Sequence, residues 1–188
     1  KTGTLTRNEM SVTTVVLPDA SLAVAGTGYA PVGDIALAGR AVDGDAMRPL
    51  AELGRAAALC NDAALHEQEG DWSVEGDPME GALLALAGKA GSDAREERGA
   101  WTRTDAIAFD AKHRFMATLH HDHDAHARIF VKGAPERILA MCDAQRTASG
   151  GTEPLDHTYW QEQVEAIAAA GQRVLALATR PVPPTHTV

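Results

Sequence analysis

Three short runs of β-branched, aromatic and aliphatic residues in the middle of the chain constrain its fold most strongly. They span residues 107–109, 115–120 and 128–132, and a polar segment separates the last two. Such runs predict β-strands, and the last two predict a hairpin. Strand and helix patterns do not alternate strictly along the chain, which favours a mainly antiparallel sheet over a βαβ fold.

Helical patterns surround these runs. The predicted helices cover residues 47–60, a segment beginning at Pro78, residues 137–142 and residues 159–170. Asp77 and Asp156 precede two of them as N-caps, and proline is favoured as a first helical residue. With further strands at 10–17 and 174–179, the pattern predicts an α+β fold with a mainly antiparallel, twisted sheet of about six or seven strands flanked by helices.

Composition narrows the classes of function. The 188 residues fit one domain. Seventeen basic and 26 acidic side chains give a formal net charge of −9, which argues against a nucleic-acid coat or an anionic-membrane binder because both need a basic face. No apolar run approaches the ~20 residues of a membrane span. Cys60 and Cys142 are predicted to be buried free thiols in a reducing compartment.

Two segments of the predicted sheet carry side chains suited to a nucleotide. In residues 109–116 (FDAKHRFM), Phe109 precedes a cationic turn, and an aromatic face with nearby cations suits adenine stacking and phosphate neutralisation. A core phenylalanine beside a charged turn is the alternative. In residues 131–136 (VKGAPE), Gly133 lets a ligand approach the backbone and Lys132 reaches over it.

Two further segments lie at the start of the chain and at a predicted helix start. Residues 1–6 (KTGTLT) offer hydroxyls and an ammonium group to a phosphate, although a solvated terminus is the simpler interpretation. In residues 76–81 (GDPMEG), helix capping explains Asp77 and leaves Glu80 for a ligand. The chain begins at Lys1 without an initiator methionine, which predicts a segment of a longer protein.

Taken in order, these motifs resemble the nucleotide-binding (N) domain of P-type ATPases. KTGTLT resembles the continuation of the family's DKTGTLT phosphorylation sequence, and GDPMEGAL, FDAKHRFM, VKGAPE and GQRVLALATR follow in the family's order and spacing. CNDAAL, GTGYAPVG and PLDHTYW resemble the calcium-pump-like branch of cation transporters. The heavy-metal-pump branch carries a His-Pro pair in this domain, and no His-Pro dipeptide occurs here.

The resemblance implies a division of the chain and a mechanism for its parent. Residues 1–9 would be a remnant of the phosphorylation-domain loop and hinge, 10–180 the nucleotide-binding domain and 181–188 an exit linker. ATP would deliver its γ-phosphate, with Mg²⁺, to an aspartate that would precede Lys1, and Thr2 and Thr4 would lie in that loop. This chain would therefore contain no catalytic residue and would be inactive alone.

The resemblance also implies the partners and the location of the domain. It would bind ATP and ADP and work with the phosphorylation and actuator domains and the membrane helices of the parent protein. It would contact neither nucleic acid nor the membrane directly. Its place would be the cytoplasmic side of an integral membrane protein.

Seven positions match residues that bind nucleotide in this family. Phe109 would stack on adenine, Lys132 would line the adenine and ribose end, and Gly133 would allow close backbone approach. The remaining four are Glu80 (accepting from the adenine amino edge or holding a pocket cation), Arg173 (ribose or polyphosphate), Arg114 (where the family usually has lysine) and Asp77. Ala111 and Met79 depart from the family's phosphate-side residues, so weak, adenine-dominated binding is expected.

Two other readings come from different classes of function. One is a transition-metal-binding module that uses the histidine-rich turn, with His120, His121, His123 and His126 as candidate ligands. A polar hairpin turn that splays these side chains explains the same residues. The other is an interaction domain with degenerate motifs, which only Ala111 and Met79 support.

Overall fold

The main sheet is built from the residues that predicted it. The computed structural model describes residues 9–18, 20–42 and 47–187, and the predicted roles of residues 1–8, Thr2 and Thr4 included, lie outside them. The sheet contains β7 (Thr102–Asp110), β8 (Phe115–His121), β9 (Ala127–Gly133) and β12 (Ala176–Val182). Their order is β12-β9-β8-β7, and every pair is antiparallel. The predicted hairpin is confirmed as β8 and β9.

The other described strands form separate sheets. The first sheet consists, in order across it, of β1 (Thr14–Leu17), β2 (Ala20–Val24), β3 (Ile35–Leu37) and β4 (Arg40–Ala41). Two hairpins complete the set: β5 (Ala64–Gln68) with β6 (Asp71–Glu75), and β10 (Ala144–Arg146) with β11 (Thr152–Pro154). The antiparallel α+β class is confirmed, but the described strands number twelve in four sheets rather than six or seven in one.

Five helices are described. They are α1 (Met47–Leu59), α2 (Pro78–Lys89), α3 (Ala94–Ala100), α4 (Pro135–Leu139) and α5 (His157–Ala169). The two predicted caps are confirmed: Asp77 accepts hydrogen bonds from the N–H groups of Met79 and Glu80, and Asp156 accepts one from Tyr159. The prediction for α4 was two residues late, because the helix begins directly at Pro135. None of these helices has the length and apolar character that a membrane crossing requires, as far as the described residues go.

Helix α1 joins the sheet to α2 and so brings the two halves of the site together. On one side, Leu59 and Cys60 pack against Met116 and Phe130 of the sheet. On the other side, small alanines of α1 pack against Leu83 and Ala87 of α2. Because alanine side chains let the helices approach closely, the first turn of α2 lies within reach of the β9 end of the sheet. Cys60 is a buried free thiol as predicted, whereas Cys142 is only partly buried.

Candidate functional site

The first turn of α2 carries a carboxylate into the interior. Asp77 caps the helix through Oδ1, which accepts from the N–H groups of Met79 at 2.8 Å and Glu80 at 3.3 Å. Capping at this position fixes the helix start, so the third helical residue, Glu80, turns inward and is only 9% exposed. A carboxylate in the first turn is also favoured by the positive end of the helix dipole.

Lys132 of β9 forms a buried ion pair with Glu80. The Lys132 ammonium group contacts Glu80 Oε1, and the two side chains are 4% and 11% exposed. The other oxygen, Oε2, accepts from the Asp62 N–H at 3.1 Å. Lys132 therefore has a buried acidic partner within this chain, and its loss is expected to lower stability. Glu136, which lies four residues further along the chain, pairs with Arg114.

Phe109 lies in one row with Lys132 across three neighbouring strands. Met116 of β8 pairs directly with Lys132. The pairing of β7 with β8 shifts by one residue between Ile107 and Asp110. Strand β7 therefore has one extra residue opposite Met116, which is a β-bulge. This bulge places Phe109 beside Met116, two strand spacings, or about 10 Å, from Lys132. Phe109 is 59% exposed, so its ring is open to solvent rather than part of the core.

Gly133 and Arg114 shape the end of this row. A Cβ at Gly133 would lie 2.8 Å from the Phe115 Cα and would clash with the carbonyl oxygen of Arg114. The same carbonyl accepts from the Ala134 N–H at 3.0 Å. Gly133 thus permits a close backbone approach, and in this chain the approaching backbone is that of β8. Arg114 adopts a positive φ of 60° and pairs with the exposed Glu136.

Arg173 lies at the same end of the sheet as Gly133. It is exposed on the segment between α5 and β12. Three residues later, Ala176 pairs with Gly133. The structure therefore brings Phe109, Lys132, Glu80, Gly133 and Arg114 together, sets Arg173 on the adjoining loop and uses the Asp77 carboxylate as a helix cap.

The histidine-rich turn is divided between the core and the surface. His120 is buried, with Nδ1 at 3.2 Å from the Trp101 carbonyl oxygen and its ring edge-to-face with Phe130. Burial lowers its pKa from 6.5 to about 4. His121 contacts Thr104 and the Pro184 carbonyl oxygen. These two rings therefore serve the packing of the sheet.

Only His126 of the four predicted ligands lies in a group with metal-ligand spacing among the described residues. Its ligand atom and those of Asp122 and Asp124 lie within 4.8 Å of one another. All three sit on the exposed β8–β9 turn, where His126 Nδ1 contacts Asp122 at 2.8 Å. This contact raises the pKa of His126, so a metal ion would have to compete with a proton there.

The sequence analysis missed the corner that follows α1. Asn61 and Asp62 belong to the CNDAAL motif and were expected only to end the first helix, with no role in the site. The Asn61 side chain is 1% exposed and donates to the Glu80 carbonyl oxygen at 2.9 Å. The sequence does contain a signal for this corner. A polar pair follows directly after an apolar helix, and asparagine is one of the residues that end helices.

The site fits an aromatic base with negatively charged groups attached to it better than it fits a magnesium ion. Mg²⁺ prefers oxygen ligands, and Glu80 is the carboxylate at the Lys132 end of the row. Both of its oxygens are already engaged, one by Lys132 and one by the Asp62 N–H. The described residues of the row therefore do not fit a resident Mg²⁺.

Comparison with known proteins gives the family. Residues 49–187 match the family "P-type ATPase, cytoplasmic domain N". The cation-transporting ATPase pma1 of Synechocystis is 40% identical over 191 residues, which cover 99% of this chain and 21% of the relative. The probable cation-transporting ATPase F of Mycobacterium tuberculosis is 38% identical over 179 residues, covering 94% and 19%. The calcium-transporting ATPase of Bacillus subtilis is 30% identical over 186 residues, covering 97% and 21%.

The chain spans about a fifth of the length of these relatives. The family match covers well over half of the chain and includes the first turn of α2, the three strands of the row and the corner after α1. The resemblance inferred from the motifs is confirmed at this level. The chain belongs to the P-type ATPase family, and it carries the cytoplasmic domain N of such a protein.

Proposed function

We propose that this chain holds ATP for a P-type cation-transporting ATPase and presents the γ-phosphate to an aspartate of the parent protein. The observation that carries the proposal is the row formed by Phe109, Met116 and Lys132. It combines an exposed aromatic face with a fixed cation about 10 Å away, a spacing that suits the length of a nucleoside. The parent would be an integral membrane protein with this domain on its cytoplasmic side.

Phe109 provides the base-binding end. Its ring is free to stack on adenine, and base–aromatic stacking contributes roughly 1–3 kcal/mol. Met116 lies between Phe109 and Lys132 in the row, where it is buried against the end of α1. Its neighbour Cys60 donates from Sγ to the Met116 carbonyl oxygen at 3.6 Å, and burial raises the pKa of that thiol, so the thiol stays uncharged.

Lys132 provides the cation, and Glu80 acts on the nucleotide through it. Because Glu80 is engaged by Lys132 and Asp62, we propose the second of its two expected roles, which is to hold the pocket cation in place. Arg114 and Arg173 supply further positive charge at the Gly133 end, where the ribose and phosphates would lie. Ala111 and Met79 add no charge, so the affinity is carried by the base, and ATP and ADP bind similarly.

Several finer features belong to the same proposal. Residues 10–180 would form the nucleotide-binding unit, with 1–9 and 181–188 connecting it to the rest of the parent. Its partners would be the phosphorylation and actuator domains and the membrane helices, with Mg²⁺ joining the phosphates outside this chain. The calcium-transporting relative in Bacillus subtilis supports a calcium-pump-like branch.

The test is a calorimetric titration of the 188-residue chain with ATP and ADP. Phe109→Ala is expected to weaken both nucleotides about tenfold or more, since ~1.4 kcal/mol corresponds to a factor of ten. Ile107→Ala is the matched control, because Ile107 is also exposed on β7 but pairs with Ala117 on the opposite face. A folded Phe109→Ala variant with unchanged affinity would contradict the stacking assignment.

A further inference from the structure

Three side chains cap the end of helix α1. The last carbonyl groups of a helix have no partner within the helix. Here the Asn61 amide donates to the Ala57 carbonyl oxygen at 3.0 Å, Arg98 donates to Ala58 at 3.3 Å and Arg103 donates to Leu59 at 3.0 Å. Cationic caps at this end are also favoured by the helix dipole.

The same three side chains fix the corner formed by residues 61–63. Arg98 and Arg103 both donate to the Asn61 carbonyl oxygen, at 3.1 and 2.7 Å. Arg103 also holds the Asp62 carboxylate at 2.6 Å, which neutralises a negative charge close to Glu80. The Ala63 N–H donates to Asn61 Oδ1 at 2.9 Å. The corner is thus tied to α3, to β7 and to itself.

This corner grips Glu80 at two points. The Asn61 amide donates its second hydrogen bond to the Glu80 carbonyl oxygen at 2.9 Å, and the Asp62 N–H donates to Glu80 Oε2 at 3.1 Å. Glu80 Oε1 is left for Lys132. Every polar group of the Asn61 side chain is therefore used, and its amide nitrogen bridges Ala57 at the end of α1 to the Glu80 that holds the cation.

We infer that Asn61 is a positioning residue for the nucleotide site, acting on Lys132 through Glu80 without touching the ligand. The inference rests on the proposed function, because it requires that the site bind a nucleotide. Without the Asn61 amide, the Glu80 and Ala57 carbonyl groups lose this donor, and only the Asp62 N–H still joins the corner to the first turn of α2. The Glu80 carboxylate then ceases to hold the ammonium group in line with Phe109 and Met116.

The experiment measures ATP affinity for Asn61→Ala and the melting temperature of the same variant. We expect about a tenfold loss of affinity. Arg55→Ala is the matched control: it removes the 2.8 Å ion pair between α1 and Glu97 of α3, which involves neither Glu80 nor Lys132, so it should lower stability without weakening ATP binding. Asn61→Ser, which leaves a small polar group at the corner, serves if Asn61→Ala does not fold.

A double-mutant cycle separates positioning from general damage. If Asn61 acts through Glu80, Asn61→Ala weakens ATP binding much less in a Glu80→Gln background than in the unchanged chain. Equal losses in both backgrounds would overturn the inference, and so would unchanged ATP affinity in a folded Asn61 variant.

A ligand-free readout keeps this inference distinct from the proposed function. The ammonium resonance of Lys132, recorded by ¹H–¹⁵N NMR, should be protected from exchange in the unchanged chain and in Arg55→Ala, and lost in Asn61→Ala. Failure of the unchanged chain to bind ATP would refute the function alone. An unchanged Lys132 resonance in Asn61→Ala would refute the positioning role alone.

Discussion

At the scale of single residues, the Lys132–Glu80 pair is the feature on which the site depends. Both side chains are almost fully buried, and removing charges from water costs several kcal/mol for each ion. The cost is offset only when both groups are paired and hydrogen-bonded, as Glu80 is through Lys132 and the Asp62 N–H. Removing one partner leaves the other charge buried without compensation.

Lys132→Met is therefore expected to destabilise the protein by roughly 3–5 kcal/mol and to weaken nucleotide binding. The double variant Lys132→Met/Glu80→Gln should regain most of the stability but not the affinity, because a neutral glutamine oxygen still accepts from the Asp62 N–H. Urea denaturation and ATP titration measure the two effects. A single Lys132→Met variant as stable as the unchanged chain would show that the pair is not formed.

Sequence reasoning found the members of this site but not their connections. Phe109 and Lys132 could be identified because the residues that define each of their motifs are consecutive in the sequence. The pairing of Lys132 with Glu80 joins residues 52 positions apart and exists only because α1 sets α2 beside β9. Asn61 was overlooked for the same reason: its contacts to Ala57 and Ala63 are local, but its contact to Glu80 is not.

At the scale of elements, local signals explain which helices and strands were predictable. Asp77-Pro78 and Asp156 predicted helix starts because capping is decided within one turn. Helix α3 was missed because it buries none of its residues and has no apolar face. The hairpin β5–β6 was missed because β5 is largely polar, although Trp72 and Val74 of β6 alternate with polar residues. The bulges in β7 were equally hidden, although one of them sets Phe109 beside Met116.

The junction between β8 and the start of β7 is expected to be sensitive to acid. Buried His120 has its pKa lowered to about 4, so between pH 6.5 and 4 the unfolded chain binds a proton that the folded chain does not. The free energy of unfolding must then fall as the pH falls, by up to about 3 kcal/mol from this group.

His120→Asn tests this, because an amide still donates to the Trp101 carbonyl oxygen but does not titrate. Urea unfolding at pH 7 and pH 4.5 gives the loss of stability for each protein. The loss should be clearly smaller in the variant, even if the variant is less stable at pH 7. Parallel losses would show that His120 is charged or solvated in the folded protein.

At the scale of the whole molecule, the described strands divide into a site-bearing sheet and three further sheets that contribute none of the proposed ligand contacts. Helix α1 joins the site-bearing sheet to α2. One side of α1 packs against the sheet, and another side packs against α2. That division was not foreseen: periodicity identifies a strand but not the sheet it joins, since sheet membership depends on pairings distant in sequence. The motifs GDPMEGAL, FDAKHRFM, VKGAPE and GQRVLALATR fall on elements that meet near the end of β9.

Chemical-shift mapping is the most direct test of the central claim, that this chain binds adenine nucleotides along the row of Phe109, Met116 and Lys132. ¹H–¹⁵N spectra of the 188-residue chain are recorded with increasing ATP. The largest shifts should fall on that row, on Glu80 and on Gly133, while the sheet of β1 to β4 stays unchanged. Shifts centred on the β8–β9 turn, or no shifts at millimolar ATP, would contradict the account.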